Sequence, residues 1–425
     1  MNSATQSPAT AQIMACHDCG LLHHLRALPD GGVAGCKRCG AVLYRSKPNS
    51  IDRALMLTLA ALILFVVANS FPFLTFELEG RSTTSTLTTG VVMLYEDGMW
   101  PLAALVLGVT ILVPLAKLLA TTYVLLPLRF DRRVRGMARM FRATETMHPW
   151  AMMEVFLLGV IVAYVKLSDL ARLELGIALF AFVALILTMI AAEVALEPRE
   201  VWERLGRQAA TRSLAGKDSG SLVSCHACDQ VCRLARRGHA HCPRCGASLH
   251  RRKPHSLGRT WALLIAACIL YIPANVLPVM TVTSFGRGEP DTILSGVKAL
   301  IAAGMWPVAI LVFFASITVP VLKIVAMVFL LISVQRGSRW RPRDRTVLYR
   351  MVESVGRWSM VDIFMISILV ALVNLGAIAS IVPGPGAIAF ASVVILTMIA
   401  AMSFDPRLIW DARERTRDGE QPVHA

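Results

Sequence analysis

The sequence predicts a mainly α-helical, polytopic membrane protein in which one four-helix unit occurs twice, giving eight helices. Three observations lead to this class. The chain has 425 residues, of which 55% are hydrophobic and only 17% charged, and its mean hydropathy is +0.59. It contains several apolar runs of about 20 residues, the length that crosses a bilayer. Short motifs of the first half recur in the second half at offsets of 206 to 209 residues, which indicates a tandem duplication.

Two Cys-x-x-Cys knuckles precede the apolar runs of each half. They are separated by 16 residues in the first half and by 13 in the second. Two thiolates at this spacing hold one face of a tetrahedral ion, and the second knuckle closes the other face. Disulfides and chance are the alternatives. The pattern predicts two zinc ribbons with one ion each, bound by Cys16, Cys19, Cys36 and Cys39 and by Cys225, Cys228, Cys242 and Cys245.

Four apolar runs follow the first pair of knuckles, over residues 54–74, 100–128, 150–170 and 175–196. The segment 74–80 between the first two runs alternates polar and apolar residues. A short strand or hairpin is therefore predicted there, and in its counterpart 280–286. The segment 1–15 is polar and lacks the apolar centre of a signal peptide, so no cleaved signal peptide is expected.

The second half repeats the motifs of the first in the same order. The repeated motifs are Lys47-Pro48 with Lys253-Pro254, Asn69 and Pro72 with Asn275 and Pro278, Gly98-Met99-Trp100-Pro101 with Gly304-Met305-Trp306-Pro307, Pro114 and Lys117 with Pro320 and Lys323, and the Leu-Thr-Met-Ile-Ala-Ala segments 187–192 and 396–401. Chance does not explain similarity over this length. The predicted domains are a disordered N-terminus 1–11, ribbon 12–50, helical unit 51–200, linker 201–221, ribbon 222–256, helical unit 257–412 and a disordered C-terminus 413–425.

The distribution of positive charge predicts the orientation. Residues 129–142 contain six arginines and residues 335–357 contain seven, whereas 75–97 has only Arg81 and 377–386 has no basic residue. Basic loops stay in the cytoplasm, and thiolates that hold a metal need a reducing compartment. Both ribbons and both termini are thus expected in the cytoplasm, with the two units inserted in parallel. The net charge of +15 is explained by this bias, so no nucleic-acid partner is expected.

Four ionisable residues in the apolar runs are repeated between the halves. Lys117 and Lys323 are counterparts, as are Glu154 and Asp362. An ionisable group in a membrane costs several kcal/mol unless it is paired. The sequence therefore predicts two structural ion pairs, Lys117–Glu154 and Lys323–Asp362, near the cytoplasmic end of the helices. Snorkelling of the lysines to the interface is the alternative.

Lys166 and Asp169 are charged residues without a charged counterpart. They lie three residues apart, on one helical face, and the second half has Asn374 and Ala377 in their places. One interpretation is a polar or proton-responsive transport site in a cavity between the units. The other is a solvated pair beyond the end of the helix.

Thr188 and Thr397 occupy the same position in the last apolar run of each half. They are candidates for a central polar network, although a membrane threonine usually bonds to its own helix. Glu193 has Met402 as its counterpart and is expected to snorkel to the cytoplasmic interface.

These motifs together resemble the paraquat-inducible protein A family over about residues 12–412. The resemblance implies a Gram-negative inner-membrane protein that works with a periplasmic protein of mammalian-cell-entry (MCE) domains, which forms a tunnel, to move phospholipids or other lipophilic molecules between membranes. It also implies that the helix position of Lys166 and Asp169 is used in transport. Cys232 and the shorter spacing of the second ribbon depart from the strict repeat.

The function expected is that of a non-enzymatic lipid transporter subunit, which loads or unloads lipid at a cleft between the two units. The chain has no GxxxxGK[ST] motif for ATP and no recognisable nucleophile–base set, and His23 and His24 are interpreted as spare metal ligands. Two other hypotheses are a membrane thiol–zinc redox sensor and a scaffold whose ribbons recruit a cytosolic protein.

Overall fold

The computed structural model describes residues 13–25, 28–78, 81–168, 172–206, 221–234, 240–284, 287–302, 304–373 and 379–414. The predicted terminus 1–11, most of the predicted terminus 413–425 and most of the linker 201–221 lie outside these ranges. Within them, eight helical segments are long and apolar enough to span a membrane. The predicted fold class is confirmed, with two repeated helical units and two small cysteine-bearing ribbons.

The first ribbon consists of two antiparallel hairpins, each closed by one knuckle. Its strands are β1 (Ile13–Ala15), β2 (Leu22–His24), β3 (Val33–Gly35) and β4 (Val42–Arg45). β1 pairs with β2, and β3 pairs with β4. Hairpins this short are not stable without a further constraint, which the cysteines supply if they hold a metal.

In its described residues, the first helical unit contains three strands and seven helices. In chain order they are α1 (Ser50–Ser70), β5 (Leu74–Leu78), β6 (Arg81–Ser85), α2 (Thr89–Glu96), α3 (Trp100–Leu107), α4 (Val113–Arg129), α5 (Met137–Met147), α6 (Met153–Ser168), β7 (Arg172–Leu175) and α7 (Ile177–Ala195), followed by α8 (Pro198–Leu205) after the unit. β5 lies between β6 and β7 in an antiparallel sheet. We call the side of the helices that carries this sheet the sheet side, and the opposite side the ribbon side.

The second half has the same order of elements. Its ribbon contains β8 (Ser221–Ser224), β9 (Val231–Leu234), β10 (Ala240–His241) and β11 (Ser248–Leu249), and its helical unit contains α9 (Ser256–Val276), β12 (Met280–Ser284), β13 (Arg287–Asp291), α10 (Ile293–Ala302), α11 (Trp306–Phe313), α12 (Val319–Gln335), α13 (Pro342–Val355), α14 (Val361–Leu372), β14 (Ala379–Pro383), α15 (Pro385–Ser403) and α16 (Leu408–Glu414). β12 lies between β13 and β14. The strands predicted near 74–80 and 280–286 are therefore present, each in a sheet of three.

The basic segments contain helices that the sequence analysis treated as loops. α5 and α13 lie within or beside them, on the ribbon side. Each carries apolar residues on the face that packs against the rest of the protein, with Phe141 on α5 and Tyr349 on α13 both buried. Their remaining residues are mostly polar, so the mean hydropathy of these segments hides the periodic apolar face.

A π-helical turn joins α3 to α4 and a second joins α11 to α12, at Gly108–Leu112 and Phe314–Thr318. Pro114 and Pro320 follow these turns. A proline inside a helix cannot donate to the carbonyl four residues earlier and clashes with it, so the backbone widens locally. Pro114 and Pro320, which occupy the same place in each half, thus produce a repeated π turn in one long helix of each unit.

Pro72 and Pro278 mark a close approach between the first and last helices of each unit. The N–H of Gly176, before α7, donates to Phe73 O at 3.1 Å, and that of Gly384, before α15, donates to Val279 O at 2.8 Å. A Cβ at either glycine would overlap the carbonyl oxygen of the nearby proline. The Asn-x-x-Pro motif therefore ends where the last helix of the unit begins.

The repeated lysine of the Lys-Pro motif caps that same helix at its other end. Lys47 Nζ donates to Leu196 O at 3.2 Å, and Lys253 Nζ donates to Phe404 O at 3.1 Å. A cation at a helix C-terminus satisfies the free carbonyls and opposes the helix dipole. Burial lowers the pKa of Lys253.

α14 forms the centre of the contact between the two units. All twelve of its residues are buried. A Cβ on Gly159 of α6 would lie 3.0 Å from Phe364 Cβ, and one on Gly90 of α2 would lie 2.7 Å from Ser367 O. The ring of Phe156 packs edge-on against Phe364, with centroids 5.5 Å apart. The units thus meet at a tightly packed helix pair, α6 and α14.

Candidate metal centres and buried charges

The cysteines of the first ribbon converge on one point. The Sγ atoms of Cys16, Cys19, Cys36 and Cys39 all lie within 4.8 Å of one another, and all four residues are buried. Gly20 and Gly40 follow the two knuckles with φ of +75° and +73°. This left-handed backbone turns the chain tightly around the sulfurs, and glycine adopts it without strain.

The second ribbon has the same arrangement. Cys225, Cys228, Cys242 and Cys245 lie within 4.8 Å of one another and are buried. Asp229 takes the place of a glycine after the third knuckle, with φ of +52°. Cys232 is buried beside this cluster, with its Sγ 3.7 Å from Gln230 O. It is not among the four converging residues.

Both clusters have the donors and dimensions of a tetrahedral metal site. Within each cluster two pairs of sulfurs are 3.5 Å apart, and a zinc ion with bonds of about 2.3 Å separates its sulfurs by about 3.8 Å. Each cluster can therefore hold one metal ion, as predicted. His23 Nε2 lies 3.3 Å from Cys36 Sγ, beside the cluster, where it can act as a hydrogen-bond partner of the thiolate.

Each ribbon docks on the helical unit of the other half. The first ribbon packs against the second unit, where Arg350 Nε donates to Asp18 Oδ2 at 2.6 Å and Nη2 donates to Cys39 O at 3.4 Å. Arg38 lies 4.4 Å from the Trp410 ring centre. The sequence gives no sign that each ribbon docks on the unit of the other half, because no local pattern reports contacts between residues 332 positions apart.

The second ribbon makes the reciprocal contact with the first unit. Arg142 on α5, the counterpart of Arg350, donates to Cys245 O at 3.4 Å. The cysteines of this ribbon share an apolar cluster with Phe141 and Trp202, whose rings are 5.1 Å apart. An arginine on the amphipathic helix of each unit therefore reaches the last knuckle of the opposite ribbon.

The predicted pairing of Lys117 with Glu154 is wrong. Lys117 Nζ donates to the Glu193 carboxylate and lies 3.1 Å from His148 Nδ1. Glu154 is exposed in the first turn of α6. α7 instead brings Glu193 to the buried lysine, so Glu193 pairs within the protein rather than snorkelling.

The predicted pair Lys323–Asp362 is also wrong. Both side chains are buried, and neither Lys323 Nζ nor the Asp362 oxygens has a hydrogen-bond partner in the described part of the chain. The acid that serves Lys117 has no equivalent here, since Met402 replaces Glu193 and Gly356 replaces His148. The second unit thus keeps a buried cation and a buried acid that do not neutralise each other.

These two buried charges line different cavities. Asp362 lies with Ser316 in an apolar cavity that extends to β12 on the sheet side, lined also by Val162 of α6 and by Met280. Lys323 lies in a cavity of about 250 Å³ on the ribbon side, which His148 also lines. Sequence analysis missed Ser316, although its repetition as Thr110 within the π turn was a usable signal.

The two threonines of the predicted polar network bond to their own helices. Thr188 Oγ1 donates to Ala184 O at 2.6 Å, and Thr397 Oγ1 donates to Val394 O at 2.9 Å. Lys166 belongs to α6, but its side chain lies outside the described residues, and so does Asp169. The transport site predicted from these four residues stays a prediction.

The part of the chain that the structure describes contains eight apolar helical segments in two repeated units, with two four-cysteine ribbons on one side. These features define a multi-pass membrane protein. The profile of the paraquat-inducible protein A family matches residues 51–206 and 257–414. The chain belongs to this family.

Characterised relatives cover almost the whole chain. The chain is 34% identical over 415 residues to "Intermembrane transport protein PqiA" of Escherichia coli (strain K12), which spans 96% of this chain and 98% of the relative. It is 33% identical over 399 residues to "Lipophilic envelope-spanning tunnel protein A" of the same organism, with 94% and 91% covered. It is 30% identical over 418 residues to a "Probable intermembrane transport protein" of Haemophilus influenzae, with 96% and 97% covered. No solved structure matches the chain significantly.

Proposed function

We propose that this protein is the inner-membrane subunit of a lipid transport system and that it passes phospholipid to or from a periplasmic MCE-domain tunnel protein. The names of its relatives, an intermembrane transport protein and an envelope-spanning tunnel protein, support a role in transport. The positive charge of the segments 129–142 and 335–357 supports placing the ribbon side and both termini in the cytoplasm. The sheet side then faces the periplasm and the tunnel partner.

The observation that carries this proposal is the buried carboxyl group of Asp362 in the second unit, whose oxygens have no hydrogen-bond partner among the described residues. It lines a cavity of about 40 Å³ that extends inwards from β12, is walled mainly by apolar side chains and has three other polar residues, Ser316, Asp291 and Thr292. This volume is too small for an acyl chain, so a lipid would enter only when the surrounding helices separate. An ionisable group inside a membrane is nevertheless costly enough to be a functional residue by default. The packed contact of Gly159 with Phe364 makes this cavity a better candidate for the predicted cleft than the plane between the units.

The predicted transport residues extend this site. α6 contributes Val162 to the cavity, and Lys166 follows one helical turn nearer the sheet side. We propose that Lys166 and Asp169 form the polar mouth of the route, with Thr188 and Thr397 as polar positions within the helices. No nucleotide motif is present, so we infer that Asp169 or Asp362 couples transport to the proton gradient.

Lipid transfer between proteoliposomes tests these roles. The chain, reconstituted with its MCE-domain partner, is assayed for movement of a fluorescent phospholipid to acceptor vesicles. Asp169→Asn and Asp362→Asn are each expected to reduce the rate at least tenfold. The matched control is Glu154→Gln. Glu154 is the residue of the first unit that corresponds to Asp362, and because it is exposed, this change should leave the rate of lipid transfer unchanged. If both Asp variants transfer lipid at the wild-type rate, coupling through these two carboxyl groups is excluded. If the wild-type chain and its MCE-domain partner together transfer no lipid, the proposed function is contradicted.

We further propose that each ribbon holds a structural zinc ion, and that the protein is not an enzyme. Four thiolates without an open position suit a structural rather than a catalytic site. The ribbon surfaces beside the knuckles contact Arg142 and Arg350 of the chain itself, which favours internal folding elements over a scaffold for a cytosolic protein. A redox sensor would lose zinc under mild oxidants, so stable zinc content under those conditions would exclude that alternative.

A further inference from the structure

The ribbon-side cavity of the second unit contains a buried amine that has no hydrogen-bond partner among the described residues. Lys323 is 4% exposed, and its Nζ has no hydrogen-bond partner among the described residues. The amine lines the cavity together with Gly356 and Met402. A buried amine carries its positive charge favourably only when it is paired, so a ligand that brings a negative charge beside it would gain a charge-assisted hydrogen bond.

The first unit identifies the missing group. There the equivalent amine, Lys117, is neutralised by Glu193, an acid at the position that Met402 occupies in the second unit. The same scaffold therefore accommodates an anion beside this lysine when the chain supplies one. In the second unit the position of that anion is next to a cavity of about 250 Å³, which has room for a group larger than a carboxylate.

The remaining polar groups of the cavity fit a phosphate. His148 and Arg350 line it as further donors, with the Nδ1 of His148 already 3.1 Å from the amine of Lys117. Glu353 also lines it. Because Asp18 holds Arg350 and Glu353 brings a negative charge, the lining is close to neutral in total, and the unpartnered amine of Lys323 is the group that favours an anion. Phosphate oxygens accept charge-assisted hydrogen bonds from such groups.

The depth of Lys323 matches the level of a lipid headgroup. It follows Trp306, at the sheet-side end of α11, by 17 residues, which is about 26 Å along a helix. The hydrocarbon core of a bilayer is about 30 Å thick. The amine thus lies a few Å inside the ribbon-side edge of the hydrocarbon, where lipid phosphates border it.

We propose that this cavity, formed by Lys323, Arg350 and His148, binds the phosphate of a phospholipid headgroup from the ribbon-side leaflet. The inference rests on the proposed lipid transport and deepens it by naming the chemical group and the leaflet. Free inorganic phosphate offers the same chemistry, so the test separates the two sources.

Binding to the purified full-length chain in detergent is the test. The probes are dihexanoylphosphatidylglycerol, inorganic phosphate and dihexanoylglycerol, which has the tails without the phosphate, and the readout is bound lipid by native mass spectrometry. We expect the wild type to bind the phospholipid but not dihexanoylglycerol. Lys323→Met should weaken this binding at least tenfold. Met402→Glu should do the same, because it gives Lys323 the internal acid that Lys117 has. Met402→Gln, of similar length but uncharged, should bind the phospholipid more tightly than Met402→Glu does, because it adds no counter-charge.

Two variants keep the test informative if one fails to fold, since Met402→Glu adds a counter-charge and should raise the unfolding temperature. Unchanged binding by both Lys323→Met and Met402→Glu would overturn the proposal, and so would equal binding of dihexanoylglycerol. Displacement of the lipid by inorganic phosphate at equal concentration would reassign the site to free phosphate and overturn the headgroup assignment.

The readout needs no transport partner. Binding without transfer in proteoliposomes would therefore refute the proposed function alone, and transfer without binding would refute this inference alone.

Discussion

Lys117 of α4 donates a hydrogen bond to Glu193 of α7, and this contact is the clearest difference between two units that otherwise repeat one another. It places the counter-charge of a buried lysine on the last helix of the unit. The second unit keeps the lysine but has methionine in place of the acid. Duplication thus produced one lysine with an acid beside it and one whose amine has no hydrogen-bond partner among the described residues.

Removal of the acid should destabilise the first unit. Glu193→Gln leaves the Lys117 cation, whose side chain is 11% exposed, without its charged partner, and we expect a loss of about 1–3 kcal/mol in the free energy of unfolding. Half-exposure of Glu193 keeps the effect below that of a fully buried pair. Thermal and denaturant unfolding in detergent measure it. Lys117→Met in the Glu193→Gln background should restore stability, and equal stability of Glu193→Gln and the wild type would refute the pairing.

Metal content distinguishes two independent ribbons. Elemental analysis of the purified chain should give two zinc ions, and Cys36→Ser should reduce this number to one, because three thiolates no longer close the tetrahedral site. Cys268→Ser removes an exposed cysteine of α9 outside both clusters and should keep both ions. Retention of two ions by Cys36→Ser would contradict the four-thiolate site.

Docking of the first ribbon on the second unit should depend on one carboxylate. Asp18→Asn weakens the contact with Arg350, and we expect a loss of about 1–2 kcal/mol of local stability, since charge-assisted hydrogen bonds of partly buried groups contribute at this level. Hydrogen exchange should become faster in β1–β4 and stay unchanged in β8–β11, because Ala227 is the counterpart of Asp18 in the second ribbon. If hydrogen exchange becomes faster to the same degree in both ribbons of the variant, the docking of the first ribbon on the second unit is contradicted.

The glycines at the start of α7 and α15 should not tolerate a side chain. Gly176→Ala and Gly384→Ala force a Cβ against the carbonyl oxygens of Pro72 and Pro278, and we expect each to lower the free energy of unfolding by about 1–3 kcal/mol. Gly258→Ala is the matched control, because this glycine of α9 faces open space and alanine favours the helix. Unfolding in detergent measures all three. If Gly176→Ala is as stable as Gly258→Ala, the close approach is wrong.

Features with a local or periodic pattern can be read from the sequence alone. Cysteine spacing predicts both four-cysteine clusters, hydropathy predicts eight helices, and the repeated motifs indicate the duplication. Lys47 and Pro72 were recognised as repeated, and the structure adds what they do, because a cap and a close approach involve residues more than 100 positions away. The amphipathic helices α5 and α13 escaped notice because their many arginines outweigh the apolar face in any average.

Which side chains meet depends on how the helices and ribbons pack against one another. Repetition suggested Glu154 and Asp362 as partners of the two lysines, but a repeated position fixes the depth and element of a residue, not the direction in which its side chain points. Helix packing turned Glu154 outwards and brought Glu193 to Lys117. The docking of each ribbon on the opposite unit has the same cause. The contact of Asp18 with Arg350 joins distant parts of the chain, so it can stabilise the protein only once both halves are folded against each other.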